Sequence, residues 1–573
     1  MDRRATKVLL IHPEFGGTSF WNNRESCRKV GAKYPSAPLG LITVAAMLPE
    51  DWTVRLIDRN TRDLSDADIL AADLVMIGAM FPQSLDALRM IKRVKALGVP
   101  VCAGGPDPTS RQSVYEEAEF IVAGEAEGAI DAFIADWRAG ATAGRYRAPK
   151  FKIDVTKTPR PRYDLLNFED YLYVCVQFSR GCPFMCEFCD IIELYGRVPR
   201  AKEADQLLGE LDRLYELGYR GHVDFVDDNL IGNKKAVKLF LPRLIEWQRK
   251  RGYPFEFSTE ASLNLADDQE LLTLLAEARF FVIFIGVESP DDDVLAATKK
   301  KQNTRRNIAE NVRRIQDAGI MVIAGFIVGF DGEKGSVAKP MTALIEEAAI
   351  PVAIIGLLYA LPNTQLSRRL QQEGRLHRLD APQDAPEFPD QCAVGLNFET
   401  DRPREEILAD YRDIVATIYR PGDFFGRATR AALALNITPT RRALNPRRAM
   451  KDLSRFFSIV WAVQRDLAGA RLAFWRMLAS VLLRNPTGIR AAMNSAILYL
   501  HLGPFSKVAA EAIDLVIEDI RAGQRPAPSI MPSGSNLKEA IPSKATINRG
   551  FPFGTPKNRL QRAASDQSQM VSE

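Results

Sequence analysis

Three closely spaced cysteines are the residues of this sequence best suited to do chemistry. Cys182, Cys186 and Cys189 form a C-x3-C-x2-C run directly after an apolar, strand-like segment at 171–178. Three thiolates at this spacing can hold a [4Fe–4S] cluster, which has four irons to ligate. The fourth iron then has no cysteine nearby and is open to a substrate or a cofactor.

Two other uses of these cysteines are disfavoured. A structural zinc site needs a fourth Cys or His. The chain has four histidines, none of them in a C-x2-C…H-x3-H spacing: His12, His222, His377 and His501. A disulfide is disfavoured because the charged N-terminus, with no apolar core after it, predicts no secretion signal. The cluster is therefore the predicted use.

The composition indicates a large globular protein of the reducing cytoplasm. At 573 residues the chain has room for about three domains, and a hydrophobic content of 46% supports buried cores. A net charge of +4 is nearly neutral for this length, which argues against nucleic-acid binding. The sequence contains no run of about 18 apolar residues, so it predicts no membrane span. Seven cysteines, three of them in the cluster motif, suit a cytoplasmic location.

Residues 1–140 predict a doubly wound parallel sheet, because short apolar strands alternate with amphipathic helices. Such sheets bind ligands at the carboxyl ends of their strands. Here those ends are rich in glycine: Gly78-Ala79-Met80, Gly104-Gly105 and Gly124-Glu125. Glycines let a backbone approach a large, flat ligand. A G-x-G-x-x-G motif is missing after the first strand, so a Rossmann-like domain that binds nothing or another nucleotide is the alternative.

The middle of the chain predicts a barrel. A segment rich in Ala, Gly, Arg and Pro at 141–170 is predicted as a linker, and residues 171–401 then repeat a strand–helix alternation six times. This pattern predicts a partial (βα)6 barrel with its active site at the carboxyl mouth. Polar residues collect at the strand ends: Asp227, Asp228, Asn229, Glu260, Glu288 and Asp331. Each alone could be an ordinary loop cap, but the cysteines lie on the same rim.

Beyond residue 401 the strands stop. Residues 402–523 predict a helical extension, and residues 524–573, rich in Pro, Ser, Asn and Arg, predict a disordered tail. The stretch 453–483 carries an apolar stripe among basic residues: Phe456, Phe457, Trp461, Leu472, Trp475 and Leu482. Such a stripe is more often a packing face than a membrane-surface helix, and both interpretations stay open.

The cysteine spacing, with Phe188 just before the last cysteine, resembles the signature of radical S-adenosylmethionine (SAM) enzymes. The resemblance implies that the open iron chelates the amino and carboxylate groups of SAM. Electron transfer into the sulfonium would then yield a 5′-deoxyadenosyl radical, which takes hydrogen from an unactivated carbon. SAM contacts are expected along the barrel rim, at Phe188, Asp228, Glu260 and Glu288.

Residues 1–140 resemble the cobalamin-binding domain that precedes the barrel in one large subgroup of that family. The resemblance implies cobalamin contacts at Ala79, Met80, Gly104, Gly105 and Glu125. Many such domains place a cobalt-ligating histidine in a D-x-H-x-x-G motif, whereas positions 10–16 of this chain are LIHPEFG. His12 is therefore expected to be a loop histidine at a strand end, with a role as lower cobalt ligand as the alternative.

Four segments resemble the branch of the family that has a helical, DUF4070-type C-terminal extension and includes the hopanoid C-2 methylases: 176–182, 189–196, 225–233 and 259–264. The expected fold class is α/β. It comprises an N-terminal doubly wound cobalamin-binding domain, a partial (βα)6 radical SAM barrel, and a helical extension with a disordered tail.

The resemblance implies a C-methyltransferase that uses the deoxyadenosyl radical and methylcobalamin to methylate an unactivated carbon of an apolar, hopanoid- or lipid-like small molecule. It also implies an external electron donor of the flavodoxin or ferredoxin type. Peripheral contact with the inner face of the membrane stays open. Two alternatives remain: a cobalamin radical SAM enzyme that rearranges or cyclises its substrate, and a non-catalytic iron–sulfur redox protein. The substrate itself is not fixed by the fold.

Overall fold

The computed structural model describes residues 5–16, 19–20, 22–377, 395–437 and 446–523. The tail that the sequence predicts to be disordered, 524–573, lies outside these residues, as does Cys392. The described residues form two large parallel sheets, a short two-stranded antiparallel sheet and a C-terminal group of helices.

The N-terminal part alternates strands and helices. Its elements are β1 (Lys7–His12), α1 (Arg24–Lys29), β2 (Tyr34–Ser36), α2 (Leu39–Met47), β3 (Thr53–Asp58), α3 (Asp66–Leu70), β4 (Leu74–Gly78), α4 (Ser84–Ala96), β5 (Val101–Gly104), α5 (Pro106–Ser110), β6 (Phe120–Ala123), α6 (Ile130–Ala139) and β7 (Gly144–Arg147). Six of these strands pair in parallel in the order β3-β1-β4-β5-β6-β7. This first sheet is the doubly wound sheet that the sequence predicts.

Both faces of the first sheet are buried. Successive side chains of a strand point to opposite faces. Leu9 and Ile11 of β1 accordingly join a core on one side, whereas Val8 and Leu10 join a separate core on the other side. Two buried faces explain why these strands are continuous apolar runs rather than alternating ones.

The middle part forms the second sheet. Its elements are β8 (Tyr171–Val176), β9 (Ser179–Arg180), α7 (Ile191–Leu194), β10 (Arg200–Ala201), α8 (Ala204–Glu216), β11 (Gly221–Phe225), α9 (Lys234–Lys250), β12 (Phe255–Glu260), α10 (Gln269–Ala278), β13 (Phe280–Glu288), α11 (Asp292–Ala297), α12 (Ile308–Asp317), β14 (Met321–Val328), α13 (Ala338–Glu347), β15 (Ala353–Leu357) and α14 (Gln365–Gln372). The strand order is β15-β14-β13-β12-β11-β8-β2, all parallel. Six of these strands are the predicted barrel strands, and the curled sheet is a partial barrel.

Two strands differ from the sequence prediction. Strand β2 comes from the N-terminal part, yet it pairs with β8 at the edge of the second sheet. Strand β7 lies within the segment predicted as a linker, yet it pairs with β6 and extends the first sheet. Both are edge strands, and edge strands lack the continuous apolar pattern that identifies a central strand.

The C-terminal helices cover the barrel. They are α15 (Arg404–Ile418), α16 (Pro421–Ala434), α17 (Pro446–Asp466), α18 (Arg471–Arg484) and α19 (Ile489–Arg521). The Tyr419 hydroxyl donates a hydrogen bond of 2.7 Å to the Ala353 carbonyl of β15. Helix α19 packs against α1, next to β2, and Phe505 of α19 lies 4.5 Å from Phe20, ring to ring. The extension therefore bridges the two open edges of the curled sheet.

The apolar stripe at 453–483 is mostly exposed. Helices α17 and α18 pack on the protein through other residues, among them Val463 and Phe474. Five residues of the stripe are each between 45% and 62% exposed: Phe457, Trp461, Leu472, Trp475 and Leu482. The interpretation of these five residues as a packing face is therefore wrong. No helix among the described residues has the length and apolar content needed to cross a bilayer.

We expect the C-terminal helices to be part of the cooperative core. Phe424 of α16 is fully buried, with its ring 4.6 Å from Tyr499 and 6.0 Å from Tyr419. Phe424→Ala should lower the free energy of unfolding by about 3–5 kcal/mol, measured by urea unfolding followed by tryptophan fluorescence. The control Leu239→Ala, at a position that is 68% exposed, should change it by less than about 0.5 kcal/mol. Equal midpoints for Phe424→Ala and wild type would contradict the expectation.

Candidate functional site

The three cysteines lie in the loop that follows β9, at the carboxyl mouth of the barrel. Cys186 is buried, and Cys182 and Cys189 are half-buried. The loop turns at Gly181, which has a positive φ of 95°. A Cβ at Gly181 would lie 2.9 Å from the Gly196 carbonyl oxygen, so only glycine fits this turn.

Two carboxylates at the end of β11 hold the start of this loop. The Asp227 carboxylate accepts hydrogen bonds from the Phe178 backbone N–H (2.9 Å) and the Ser179 hydroxyl (2.6 Å). The Asp228 carboxylate accepts one from the Gly181 backbone N–H (2.8 Å). Burial raises the pKa of Asp227 to about 7 and that of Asp228 to about 6, although these hydrogen bonds favour the ionised forms.

The donor set fits an iron–sulfur cluster. The side-chain amide of Asn229 lies 3.8 Å from Cys182 Sγ, and that of Gln302 lies 3.6 Å from Cys186 Sγ. Such N–H donors stabilise ligating sulfur. In the described part of the chain, no three His, Cys, Asp or Glu side chains converge on one metal ion.

A buried ion pair lies beside the cysteines. Lys300 Nζ lies 2.7 Å from Glu288 Oε1, and both side chains are about nine-tenths buried. Burial acts to lower the pKa of Lys300, but Glu288 and the nearby Cys186 thiol outweigh it and raise that pKa. Glu288 has a positive φ of 71°, a conformation that costs a non-glycine residue about 1–3 kcal/mol. Strain of this kind is typical of functional sites.

Gly286 makes room for this ion pair. It lies on β13, two residues before Glu288. A Cβ at Gly286 would lie 2.3 Å from Glu288 Oε1 and 2.9 Å from Lys300 Nζ. A side chain at this position would therefore meet the two charged groups. A left-handed backbone is not the reason for the glycine, because the φ of Gly286 is not among the positive values of the described residues.

One face of the second sheet combines carboxylates with apolar side chains. Glu260 is paired with Phe284 on the neighbouring strand, so the two side chains share a face with Gly286. Glu260 is exposed to solvent there, yet the protein around it and the carboxylates of Asp224 and Asp228 raise its pKa to about 8. The half-buried Ile323 is paired with Phe284 and continues this face with an apolar surface.

Two further residues of the predicted rim have structural partners. The Phe188 ring lies 5.5 Å from the Phe330 ring, in the loop after β14. The Asp331 carboxylate pairs with Arg375 at 2.7 Å and with Arg369 at 2.9 Å. Asp331 therefore holds α14 and the segment that follows it against the barrel.

The ends of β4 and β5 form a glycine-rich edge of the first sheet. Gly105 has a positive φ of 101°, and a Cβ there would lie 2.7 Å from the Ala79 carbonyl oxygen. Ala79 is buried, with its N–H bonded to the Gly104 carbonyl (3.0 Å) and its carbonyl to the Asp107 N–H (3.1 Å). The Met80 side chain is 42% exposed. This edge therefore presents bare backbone and one flexible apolar side chain.

Glu125 connects the first sheet to β9 and β10, which pair with each other as a short antiparallel sheet on either side of the cysteines. Its carboxylate pairs with Arg180 at 3.1 Å and with Arg200 at 2.9 Å, and Glu127 pairs with Arg180 at 2.8 Å. Arg180 is in β9, two residues before Cys182. The Glu125 carboxylate is thus directed toward these two arginines. Its contact with cobalamin stays a prediction.

A cleft of about 290 Å³ lies between the carboxyl ends of the two sheets. Its walls come from loops after β5 to β7, from α7 and from the loop after β15. The polar and charged residues that line it are Thr109, Ser110, Gln112, Glu125, Arg147, Lys150, Asp190, Glu193 and Asn363. Bare glycine backbone beside a cleft with polar and charged side chains of both signs suits part of a cobalamin molecule, which has a flat ring, amide side chains and a nucleotide phosphate.

His12 is at the end of β1 and is buried. Its ring nitrogens lie 3.2 and 3.4 Å from the Gln83 side-chain amide nitrogen, which also donates to the Pro13 carbonyl at 2.7 Å. Burial lowers the pKa of His12, so the ring is neutral. These contacts favour the interpretation of His12 as a hydrogen-bonded histidine at a strand end.

Sequence analysis did not identify the residues that are distant in sequence and that folding brings to the site. Lys300 lies in a run of three lysines that looks like a solvated loop. Gln302 follows it, and Arg180 and Arg200 carry no motif that marks them as partners of Glu125. A glycine two residues before a strand-end glutamate was the one local signal near Glu288.

Three family models match this chain. They are the B12 binding domain at residues 28–134, the Radical SAM superfamily at 176–338, and a domain of unknown function (DUF4070) at 364–514. Together they define the class: a radical SAM protein with a cobalamin-binding domain and a helical extension. The [4Fe–4S] cluster, SAM and cobalamin are the cofactors of that class.

Two curated relatives match most of the chain. An uncharacterized methyltransferase of Synechocystis sp. is 44% identical over 84% of this chain and 88% of that protein. The hopanoid C-2 methylase of Rhodopseudomonas palustris is 36% identical over 84% of this chain and 90% of that protein. This chain belongs to the family of B12-binding radical SAM enzymes that contains both.

Two solved structures share the fold. The methyltransferase TsrM from Kitasatospora setae, with cobalamin and a [4Fe–4S] cluster bound, matches with a TM-score of 0.53 at 17% identity, over 66% of this chain and 80% of that chain. The cobalamin-dependent radical SAM enzyme OxsB matches with a TM-score of 0.54 at 16% identity, over 96% of this chain and 84% of that chain.

We expect Asp227 to be essential for a stable cysteine loop. Asp227→Ala removes the acceptor for the Phe178 N–H and the Ser179 hydroxyl, so the cluster should be lost about tenfold or more faster under a chelator. Iron and sulfide content over time measures this loss. The control Asp293→Ala, at an exposed surface pair with Lys334, should behave like wild type. Equal retention in Asp227→Ala and wild type would contradict the assigned role.

Proposed function

We propose that this protein methylates an unactivated carbon of an apolar, lipid-like small molecule as a cobalamin-dependent radical SAM methyltransferase. One observation carries the proposal: Gly124 and Glu125 of the glycine-rich edge line the same cleft as Asp190 and Glu193, which directly follow the cysteines. When bound, the cluster supplies the electron that cleaves SAM, and cobalamin supplies a carrier for the methyl group. The residues of this chain orient these groups and exclude water.

The Glu288–Lys300 ion pair is proposed to hold the methionine part of SAM. An α-amino acid is a zwitterion, and a carboxylate 2.7 Å from an ammonium offers a partner for each of its charges. Both side chains are buried, so their interactions with such a ligand would be weakly screened by solvent. Contacts of SAM with Phe188, Asp228 and Glu260 belong to the same proposal.

The substrate is proposed to lie against the apolar part of the barrel face. Phe284, Ile323 and Ile327 are half-buried; Phe284 is on β13, next to the strand of Glu260, and the two isoleucines are on β14, one strand further away. The relationship to a hopanoid C-2 methylase supports a substrate of lipid character. The proposal includes an external electron donor of the flavodoxin or ferredoxin type, because SAM cleavage consumes an electron. It also includes contact with the inner face of the membrane as the route of an apolar substrate.

A labelling experiment tests the proposed reaction. Reduced, fully loaded enzyme is incubated with methyl-deuterated SAM and a lipid extract, and the products are analysed by mass spectrometry. A lipid that gains one labelled methyl group is expected, together with 5′-deoxyadenosine. The Cys182→Ala/Cys186→Ala/Cys189→Ala variant should give neither product, because it cannot hold the cluster.

The outcomes separate the alternatives. Formation of 5′-deoxyadenosine with a changed but unlabelled product would indicate rearrangement or cyclisation. Failure of the loaded wild-type enzyme to cleave SAM would indicate a non-catalytic iron–sulfur protein. Cleavage by the triple variant would contradict the assignment of the three cysteines.

We expect Gly286→Ala to weaken SAM binding. The added methyl group would overlap the Glu288 carboxylate and the Lys300 ammonium, and such overpacking should reduce affinity roughly tenfold. Equilibrium binding of SAM to the cluster-loaded protein measures this change. The control Gly422→Ala, where a Cβ meets nothing within 4 Å, should bind like wild type. Unchanged affinity in Gly286→Ala with normal cluster content would contradict the SAM assignment of the ion pair.

A further inference from the structure

Helices α17 and α18 each expose large apolar side chains. Fourteen large apolar side chains are exposed in the described residues, and eight of them are on these two helices. We call this set the α17–α18 face: Met450, Leu453, Phe457, Trp461, Leu472, Trp475, Leu482 and Leu483. On α17 they recur at intervals of three or four residues, so they form a stripe along one side of the helix.

This face is not left over from an incomplete core. The other side of each helix is fully packed, with Ala462 and Val463 of α17 and Phe474 and Val481 of α18 all inaccessible to solvent. The exposed stripe is therefore additional to what the fold needs. Contiguous exposed apolar surface of this kind marks a site of interaction.

The charge around the face has one sign. Residues 453–484 contain five arginines and one aspartate, so this segment carries a net charge equal to that of the whole chain, +4. The aspartate, Asp466, is paired with Lys29 at 2.8 Å and with Arg465, so four of the five arginines lie outside this cluster. The guanidinium of Arg465 lies 4.1 Å from the Trp461 ring centroid. The remainder of the protein is neutral on balance, so the positive charge is concentrated where the apolar residues are exposed.

We propose that the α17–α18 face binds the surface of an anionic membrane. Aromatic and aliphatic side chains that enter the headgroup region, flanked by arginines that meet lipid phosphates, are the features of an interfacial helix. A second copy of this chain fits less well, because a symmetric contact would bring two positively charged faces together. This inference rests on the membrane contact included in the proposed function and assigns it a surface, but it does not depend on the substrate or on the reaction.

The face is held firmly to the rest of the protein. The Ser458 hydroxyl of α17 donates a 2.6 Å hydrogen bond to the Lys29 carbonyl, in addition to the Lys29–Asp466 pair. Lys29 ends α1, which leads into β2 at the edge of the barrel sheet. A membrane bound at this face would therefore lie at a fixed position relative to the barrel.

Vesicle binding tests the proposal. The full chain, loaded with its cofactors, is mixed with phosphatidylcholine vesicles with or without phosphatidylglycerol, and the bound fraction is measured by sedimentation. Wild-type protein should bind the phosphatidylglycerol vesicles, and added salt should weaken this binding. Phe457→Ser/Trp475→Ser should lower the partition coefficient about tenfold or more, because two exposed apolar side chains no longer enter the lipid.

A matched variant controls for the loss of apolar surface in general. Leu70→Ser/Leu239→Ser removes two side chains that are 60% and 68% exposed on other helices, and it should bind vesicles like wild type. Both variants must retain the wild-type circular dichroism and cluster content.

Three results would overturn the proposal. They are no binding of the wild type to phosphatidylglycerol vesicles, equal binding to both kinds of vesicle, and equal binding by wild type and Phe457→Ser/Trp475→Ser. Analytical ultracentrifugation adds a fourth: a dimer of the wild type that Phe457→Ser/Trp475→Ser abolishes, without vesicle binding, would assign the face to a second copy of the chain.

Discussion

The arrangement of the site depends on a buried ion network between the first sheet and the short β9–β10 pair on either side of the cysteines. Arg180 is shared by Glu125 and Glu127 of the first sheet, and Arg200 joins the network through Glu125. Buried charges are tolerated only when they are paired. Burial acts to raise the pKa of Glu127, but Arg180 outweighs it and lowers that pKa. Because Arg180 lies two residues before Cys182, pairing these charges also places the cysteine loop against the glycine-rich edge.

The sequence predicted those parts of the fold in which local pattern and burial agree. The central strands are apolar on both faces, so β1 and β4 to β6 were visible as continuous apolar runs. Strand β2 is three residues long and contains a proline, and β7 reads Gly-Arg-Tyr-Arg, so neither carries that pattern. For α17 and α18, periodicity predicted an apolar stripe but not whether the stripe faces the core or the solvent. Other residues of both helices pack on the protein, and the stripe is exposed to solvent.

The candidate site divides in the same way. The cysteines were predictable because their chemistry and spacing lie within eight residues of sequence, from 182 to 189. Lys300 reaches Glu288 across 12 residues and Gln302 reaches Cys186 across 116, and these contacts exist only in the folded chain. Asp227 and Asp228 were expected at the rim, but only the structure shows that their carboxylates accept hydrogen bonds from the backbone that precedes the cysteines. A sequence pattern places a polar group at a strand end and leaves its partner undefined.

The pairing of β2 with β8 means that the chain passes between the two sheets more than once. It leaves the first sheet after β1, adds a strand to the second sheet, returns at β3, and departs again after β7. The two modules are therefore interlaced rather than joined in tandem by a single tether. Dividing the chain near residue 140, as one would for a simple fusion of two modules, would remove the edge strand β2 from the barrel sheet. The N-terminal fragment would then contain β2 without the strand that it pairs with. A transplantable unit of this enzyme has to include both sheets.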